Sequence, residues 1–195
     1  MVSEKRQMVY IDTPKTGSTT INSICESHDF KLIRYLDTND KKFFHYHQRW
    51  VPEVFRDYLT FASVRNPYER LYSLYQHDFK HKYNFLRLDI RTFQDYVEGL
   101  VYRCDSLTQE DLLDDRKYIY LPQHKYLSVS RVDKIVRMEN LHSDLSELGL
   151  DMNQELTLNK GDYLDKWSDI KTPELIEVIN LWAGKDFDHY GYERL

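Results

Sequence analysis

Short runs of apolar residues alternate along the chain with stretches in which apolar residues recur every three or four positions. Two runs, Met8–Ile11 and Leu59–Val64, are typical of buried strands. A third strand is predicted over 30–35, and a short helix is predicted near Pro52. The periodic stretches predict helices with these inward residues: Ile21, Ile24 and Cys25; Leu71, Leu74, Tyr75 and Phe79; Phe93, Tyr96, Val97 and Leu100; Leu175, Ile176, Val178, Ile179 and Trp182. This alternation predicts an α/β fold with a central, mostly parallel sheet flanked by helices on both faces.

The composition predicts a single domain over residues 1–195. Of the 195 residues, 41% are hydrophobic, which is enough for a sizeable core. The formal net charge of −5 argues against a general nucleic-acid or membrane-surface binder, so an anion site must be a local group of basic residues. Cys25 and Cys104 have no metal-site spacing. The residues before the first strand leave no room for a signal peptide or membrane anchor, so we expect a soluble, cytoplasmic protein.

The first strand leads into a small, hydroxyl-rich turn that carries one lysine. The turn consists of Pro14, Lys15, Thr16, Gly17, Ser18, Thr19 and Thr20. Its last three residues can cap the helix that follows. A helix N-terminus offers free N–H groups and the positive end of its dipole, and Lys15 adds a full charge, so the pattern predicts a seat for a phosphate or sulfate. The order differs from a Walker A loop, because Lys15 precedes Gly17. An ordinary polar turn is the alternative.

A second informative stretch follows the strand predicted at Leu59–Val64. Asn66 is predicted to cap a helix whose first residue is Pro67, and Glu69 stands where a capping-box carboxylate reaches back to the cap. Arg65 is left at the carboxyl end of the strand, and Ser73 lies two turns into the helix. An arginine fork and a serine hydroxyl suit a phosphate, whereas a surface salt bridge is the common alternative for such an arginine.

Together the two stretches resemble the nucleotide-binding motifs of sulfotransferases that use 3′-phosphoadenosine 5′-phosphosulfate (PAPS). Pro14–Thr20 resembles their 5′-phosphosulfate loop, and Arg65 and Ser73 match the arginine and serine that hold the 3′-phosphate. Lys160 falls in a segment similar to the family's late loop and is a candidate phosphate contact. The resemblance implies the P-loop-like sulfotransferase fold, with the ligand beyond the carboxyl ends of the strands, where Lys15 and Arg65 both fall.

A pair of histidines lies between the two motifs. If their segment is extended, His45 and His47 project from the same face, and either imidazole could take a proton from an acceptor hydroxyl. The pair is similar to the His-x-His of uronyl 2-O-sulfotransferases, which implies a catalytic base and favours a sugar acceptor. Two histidines on a strand are also commonly half-buried polar residues. The sequence does not rank one above the other.

These patterns lead to the hypothesis of a PAPS-dependent sulfotransferase that acts on an acceptor hydroxyl, most readily on a glycan or another sugar. Lys15 would stabilise charge on the leaving phosphate of the desulfated product PAP, and no metal is implied, because lysine supplies the charge that magnesium supplies in kinases. Two other classes stay open: a P-loop-type small-molecule or nucleoside kinase, and a non-catalytic nucleotide-binding protein. The basic residues of 76–91 either flank an anionic acceptor or form a solvated surface, and Arg70 is expected to be structural or peripheral.

Overall fold

The computed structural model describes residues 1–32, 51–81, 92–105, 119–128, 130–151 and 167–195. The chain divides into two compact units. The first unit comprises Met1–Val64 and Leu127–Lys160, and the second comprises Arg65–Tyr126 and Gly161–Leu195.

Strands and helices alternate through the described residues. In chain order the elements are β1 Val2–Ser3, β2 Met8–Ile11, α1 Ser18–Ser27, β3 Leu59–Val64, α2 Pro67–His81, α3 Phe93–Asp105, α4 Gln123–Leu127, β4 Lys134–Arg137, α5 Leu141–Glu147, α6 Trp167–Ile170, α7 Pro173–Trp182 and α8 Gly184–Tyr190. Short 3-10 helices at Glu53–Phe55 and Met138–Asn140 precede β3 and follow β4. All four of these strands belong to the first unit.

The four strands form one sheet in the order β1-β2-β3-β4. The strand β1 pairs antiparallel with β2, whereas β2, β3 and β4 are mutually parallel. The register aligns Tyr10 with Phe61 and Ser63 with Val136, so these side chains point to one face of the sheet. The carboxyl ends of the three parallel strands therefore share one edge. The prediction of an α/β fold with a mostly parallel sheet is confirmed for the described residues.

The core of the first unit lies between this face of the sheet and helices α1 and α5. Tyr10 stacks on Phe61 with ring centroids 5.1 Å apart. From α1, Ile21, Ile24 and Cys25 are fully buried against them, as their helical spacing predicted. Burial raises the pKa of the Cys25 thiol to about 12. The thiol therefore stays protonated and acts as a small apolar side chain.

Aromatic side chains fill the core of the second unit. Tyr68 stacks on Trp167 at a centroid distance of 5.2 Å and contacts Phe187 at 5.0 Å. All four predicted inward residues of α3, from Phe93 to Leu100, are buried there. This core packs α2, α3, α6, α7 and α8 together. Arg65 and Asn66, which follow β3, lead directly into α2.

Among the charged side chains that are buried in the second unit, Arg70 and Asp78 both have polar partners. Arg70 is 1% exposed, and its guanidinium donates to the carbonyl oxygen of Leu121 at 3.0 Å, which confirms its structural role. The carboxylate of Asp78 accepts from the hydroxyls of Tyr96 and Tyr120 at 2.9 and 2.8 Å. Burial, with the adjacent Asp78 charge, raises the pKa of Tyr96 well above its ordinary value.

Several sequence predictions need correction. Phe79 is 71% exposed, because α2 continues past the core that covers Leu71 and Leu74. The helix predicted near Pro52 is a single 3-10 turn. Of the strand predicted over 30–35, the described part shows one bridge, between Lys31 and Val2.

Candidate functional site

The loop that the sequence predicts to bind an anion connects β2 with α1 in the first unit. Gly17 is the N-cap of α1, with φ at 82°, and its carbonyl accepts from the N–H groups of Thr20 and Ile21. The prediction that Ser18, Thr19 or Thr20 caps the helix is wrong, because Gly17 takes that position and no side chain caps α1. A glycine cap leaves the first N–H groups of the helix open to a ligand.

The backbone of the loop has a shape suited to an anion. Lys15 has a φ of 66° and Gly17 one of 82°, whereas Thr16 between them has a negative φ. Such alternation turns successive N–H groups towards one side, as in anion-binding nests. Within the described ranges, the N–H groups of Gly17, Ser18 and Thr19 have no hydrogen-bond acceptor. Lys15, a half-buried cationic residue, belongs to the same loop.

A chain of buried hydroxyls supports the loop from the sheet. The Thr16 hydroxyl donates to the carbonyl of Thr13 at 2.7 Å and bonds to the Ser63 hydroxyl at 2.5 Å, and Ser63 bonds to the Tyr10 hydroxyl at 2.8 Å. Because Thr16 has one hydroxyl proton, Ser63 must donate to Thr16, and Tyr10 must donate to Ser63. Thr16 is thus held by Ser63 of β3, which is bonded in turn to Tyr10 of β2. The sequence analysis gave this role to neither residue.

Met138 packs against the loop where a side chain at position 17 would lie. A Cβ atom added to Gly17 would overlap the sulfur of Met138, and the positive φ independently disfavours any other residue. Two constraints therefore require glycine at this position. The positive φ at Gly17 is a local property of the loop, whereas the contact with Met138 involves the segment after β4.

Arg65, the first residue of the second unit, pairs with a carboxylate one helical turn away. Its Nη2 lies 3.3 Å from Oε2 of Glu69, with 27% of the arginine side chain exposed. The predicted helix start is confirmed: α2 begins at Pro67, and the side-chain oxygen of Asn66 accepts from the N–H of Tyr68 at 3.0 Å. Glu69 does not form the predicted capping-box bond among the described residues. Its carboxylate takes the charged donor, which binds it more strongly.

The main chain of Arg65 is held by the carboxamide of Gln123. The Arg65 N–H donates to Oε1 at 2.8 Å, and Nε2 donates to the Arg65 carbonyl at 2.9 Å. The buried carboxylate of Asp186 holds the next layer, because it accepts from the N–H groups of Gln123 and His124, both at 2.7 Å. The sequence analysis gave neither Gln123 nor Asp186 a function.

The predicted site residues divide into three groups. Pro14, Thr16 and Thr20 of the loop are buried, Lys15, Gly17 and Ser18 are half-buried, and Thr19 is exposed. In the second unit, Ser73 is 8% exposed and lies two turns after Arg65 on α2. The predictions for His45, His47 and Lys160 concern residues outside the described ranges.

The described residues form an α/β protein, and the loop between its first parallel strand and the following helix has open N–H groups. The model of the sulfotransferase family matches residues 1–155 of this chain. This match covers most of the 195 residues, and the chain therefore belongs to the sulfotransferase family, a family of transferases. Searches of curated proteins and of solved structures gave no significant match.

None of the helices in the described part of the chain is both long enough and apolar enough to cross a membrane.

Proposed function

We propose that this chain transfers the sulfuryl group of PAPS to an acceptor hydroxyl of a carbohydrate. The observation that carries the proposal is the loop, which combines three open N–H groups with Lys15 and a glycine-capped helix start, a set of groups suited to one anion. Family membership supports sulfuryl transfer as the reaction class. In the transfer, a bond forms between the acceptor oxygen and sulfur, the bond from sulfur to the 5′-phosphate oxygen breaks, and the acceptor proton passes to a base.

In this proposal, the loop binds the 5′-phosphosulfate. The ammonium of Lys15 and the N–H groups of Gly17 to Thr19 stabilise the negative charge that grows on the phosphate oxygen as the sulfuryl group leaves. A preorganised donor of this kind contributes about 100- to 1,000-fold to a rate. The fit is chemical, since the loop offers donors and positive charge and its hydroxyl chain faces inward to Ser63.

Arg65 and Ser73 are assigned to the 3′-phosphate of the nucleotide. Ser73 lies one turn after Glu69 on the same face of α2, and Arg65, which precedes the helix, reaches that face through its side chain. The ion pair between Arg65 and Glu69 supports this alignment. A guanidinium and a hydroxyl on one stripe can bind two oxygens of a phosphate, which would fix the donor for in-line attack.

The base is assigned to His45 or His47, and the sugar acceptor rests on the same pair. Replacing each by alanine should abolish sulfuryl transfer from PAPS to a sulfate-free uronic-acid polysaccharide in at least one variant, while PAP still binds. Unchanged transfer in both variants would remove the histidines from the mechanism. Loss of PAP binding would assign them to the nucleotide instead.

Thermal unfolding tests the donor assignment. The wild type and Arg65→Ala are unfolded with PAP, ADP, or ADP with magnesium, because a ligand that binds the native state raises the midpoint. PAP at a hundredfold excess over Kd should raise the wild-type midpoint by about 5 to 10 °C and Arg65→Ala by much less. Stabilisation only by ADP with magnesium would contradict the proposal and favour a kinase.

Lys15→Ala tests the catalytic assignment, with Lys5→Ala as its control. Lys5 also belongs to the first unit, but it pairs with Asp29 at the surface. Lys15→Ala should lower kcat about 100- to 1,000-fold, and Lys5→Ala should leave kcat unchanged. Equal rates in the two variants would exclude Lys15 from stabilising the leaving group.

A further inference from the structure

Arg65 is bound through its main chain to a residue far along the sequence. The Gln123 side chain is fully buried, and its carboxamide binds both the N–H and the carbonyl of Arg65, 58 residues earlier. A neighbouring β-strand would supply the same pair of bonds. Since β3 ends at Val64, the carboxamide takes the place of a strand partner for one residue beyond the strand.

The Gln123 side chain is itself held at a fixed position. The N–H groups of Gln123 and His124 both donate to the carboxylate of Asp186 at 2.7 Å, and Nε2 of Gln123 lies 3.4 Å from the same carboxylate. The ring nitrogen Nδ1 of His124 lies 2.7 Å from Asp186 as well. Asp186 and Gln123 are both fully buried, so these bonds are shielded from water.

The side chain of Arg65 is directed along α2. Its pair with Glu69 orients the guanidinium towards the stripe that also carries Ser73. Fixing the Cα of a long side chain reduces the range of positions that its tip can take. Gln123 fixes the backbone of Arg65, and Glu69 orients the tip.

We propose that Gln123, held by Asp186, is a positioning residue for Arg65 and gives the protein its preference for nucleotides that carry a 3′-phosphate. This inference rests on the proposed function. A guanidinium on a fixed backbone loses less conformational entropy when it binds a phosphate, so the carboxamide contributes to affinity without touching the ligand. Its effect is confined to ligands that use Arg65.

The test compares PAP with AMP, which lacks the 3′-phosphate. Dissociation constants are measured by titration calorimetry for the wild type, Arg65→Ala, Gln123→Met and the double variant. Arg65→Ala should weaken PAP binding by about tenfold or more, which corresponds to one charge-assisted hydrogen bond, with less than a twofold effect on AMP. Gln123→Met should weaken PAP selectively in the same way. The double variant should bind PAP no more weakly than Arg65→Ala, because both changes remove one interaction.

Two further variants guard against a trivial result. Gln123→Asn keeps a neutral carboxamide but is one methylene shorter, so it serves if Gln123→Met does not fold, and its loss of PAP preference should be partial. Gln94→Met is the matched control, since Gln94 is an exposed glutamine of the second unit that bonds to Glu98. It should leave both dissociation constants unchanged.

The outcomes separate this inference from the proposed function. If Arg65→Ala loses the PAP preference while the Gln123 variants keep it, or weaken PAP and AMP equally, Gln123 is only part of the scaffold and the inference fails alone. If the wild type does not prefer PAP to AMP, the proposed function fails and the inference fails with it.

Discussion

The loop in the first unit and Arg65 in the second unit are held in place by different chemistry. Neutral hydroxyls of Tyr10 and Ser63 support the loop, and an apolar side chain, Met138, packs beside it. The backbone of Arg65 is held by a carboxamide that a buried carboxylate fixes. Hydrogen bonds to a charged acceptor are about twice as strong as neutral ones, so we expect the second region to be less tolerant of substitution than the first.

Asp186→Ala should have the largest effect. It leaves the N–H groups of Gln123 and His124 buried without their acceptor, which should cost at least about 3 kcal/mol of unfolding free energy. Urea denaturation measures the loss. Asp188→Ala is the control, because Asp188 pairs with Arg194 at the surface. A loss below 1 kcal/mol for Asp186→Ala would show that the carboxylate is not the anchor described here.

Gly17→Ala should have the next largest effect, about 2 kcal/mol, because the added Cβ meets both the unfavourable φ and Met138. Two other glycines separate these terms. Gly149 has a φ of 68° without a close contact, so Gly149→Ala should lose less stability than Gly17→Ala. Gly184 has neither feature, so Gly184→Ala should lose none. Equal losses for all three glycines would contradict this order.

Gly17→Ala should also weaken PAP binding, because the loop is displaced. Adding Met138→Ala should relieve the overlap and restore part of the PAP affinity.

Ser63→Ala should be milder, at about 1 to 2 kcal/mol, since it interrupts a neutral chain and leaves two hydroxyls without a bond to Ser63. PAP affinity should fall with it, because Thr16 belongs to the loop. Adding Tyr10→Phe should cost less than Tyr10→Phe alone, as both changes affect one chain. Strict additivity in urea denaturation would mean that the hydroxyls do not act together.

Alkaline pH should give the smallest difference between the units. The Cys25 pKa is raised from 9.0 to about 12, so its contribution to stability is fully present below pH 9.0 and is lost as pH rises towards 12. The loss should reach about 1 kcal/mol near pH 10. The slope of unfolding free energy against pH should be shallower in Cys25→Ala. For Tyr96→Phe, the corresponding change should begin only above pH 10.0, the ordinary tyrosine value. Parallel curves for wild type and Cys25→Ala would contradict the buried thiol.

The sequence predicted those features whose cause is local. Leu59–Val64 and the helix start after Asn66 depend on neighbouring residues, and the Asn66 side chain accepts from the Tyr68 N–H at the predicted cap. Glu69 shows the limit of local reasoning. Its carboxylate lies within reach of both the cap N–H and the Arg65 guanidinium, and it pairs with the charged guanidinium.

The features that escaped prediction depend on long-range contacts. Alternation placed Ser63 on one face of its strand, but its partner Thr16 follows from the pairing of β2 with β3. Gln123 and Asp186 lie 58 and a further 63 residues beyond Arg65, so no spacing rule connects them. The available signals were Ser63, a polar residue inside a buried strand, and Gln123, a glutamine after Pro122. Neither signal indicates which residue is the partner.

The place of Asp186 in the chain bears on the smallest fragment that can fold. The family signature ends at residue 155, so a fragment cut there retains Arg65 and Gln123 but not the carboxylate that anchors them. It also lacks Trp167 and Phe187, which pack on Tyr68. We therefore expect the second unit to need more of the chain for folding than the matched segment provides, and an expressed fragment to require residues up to at least 187.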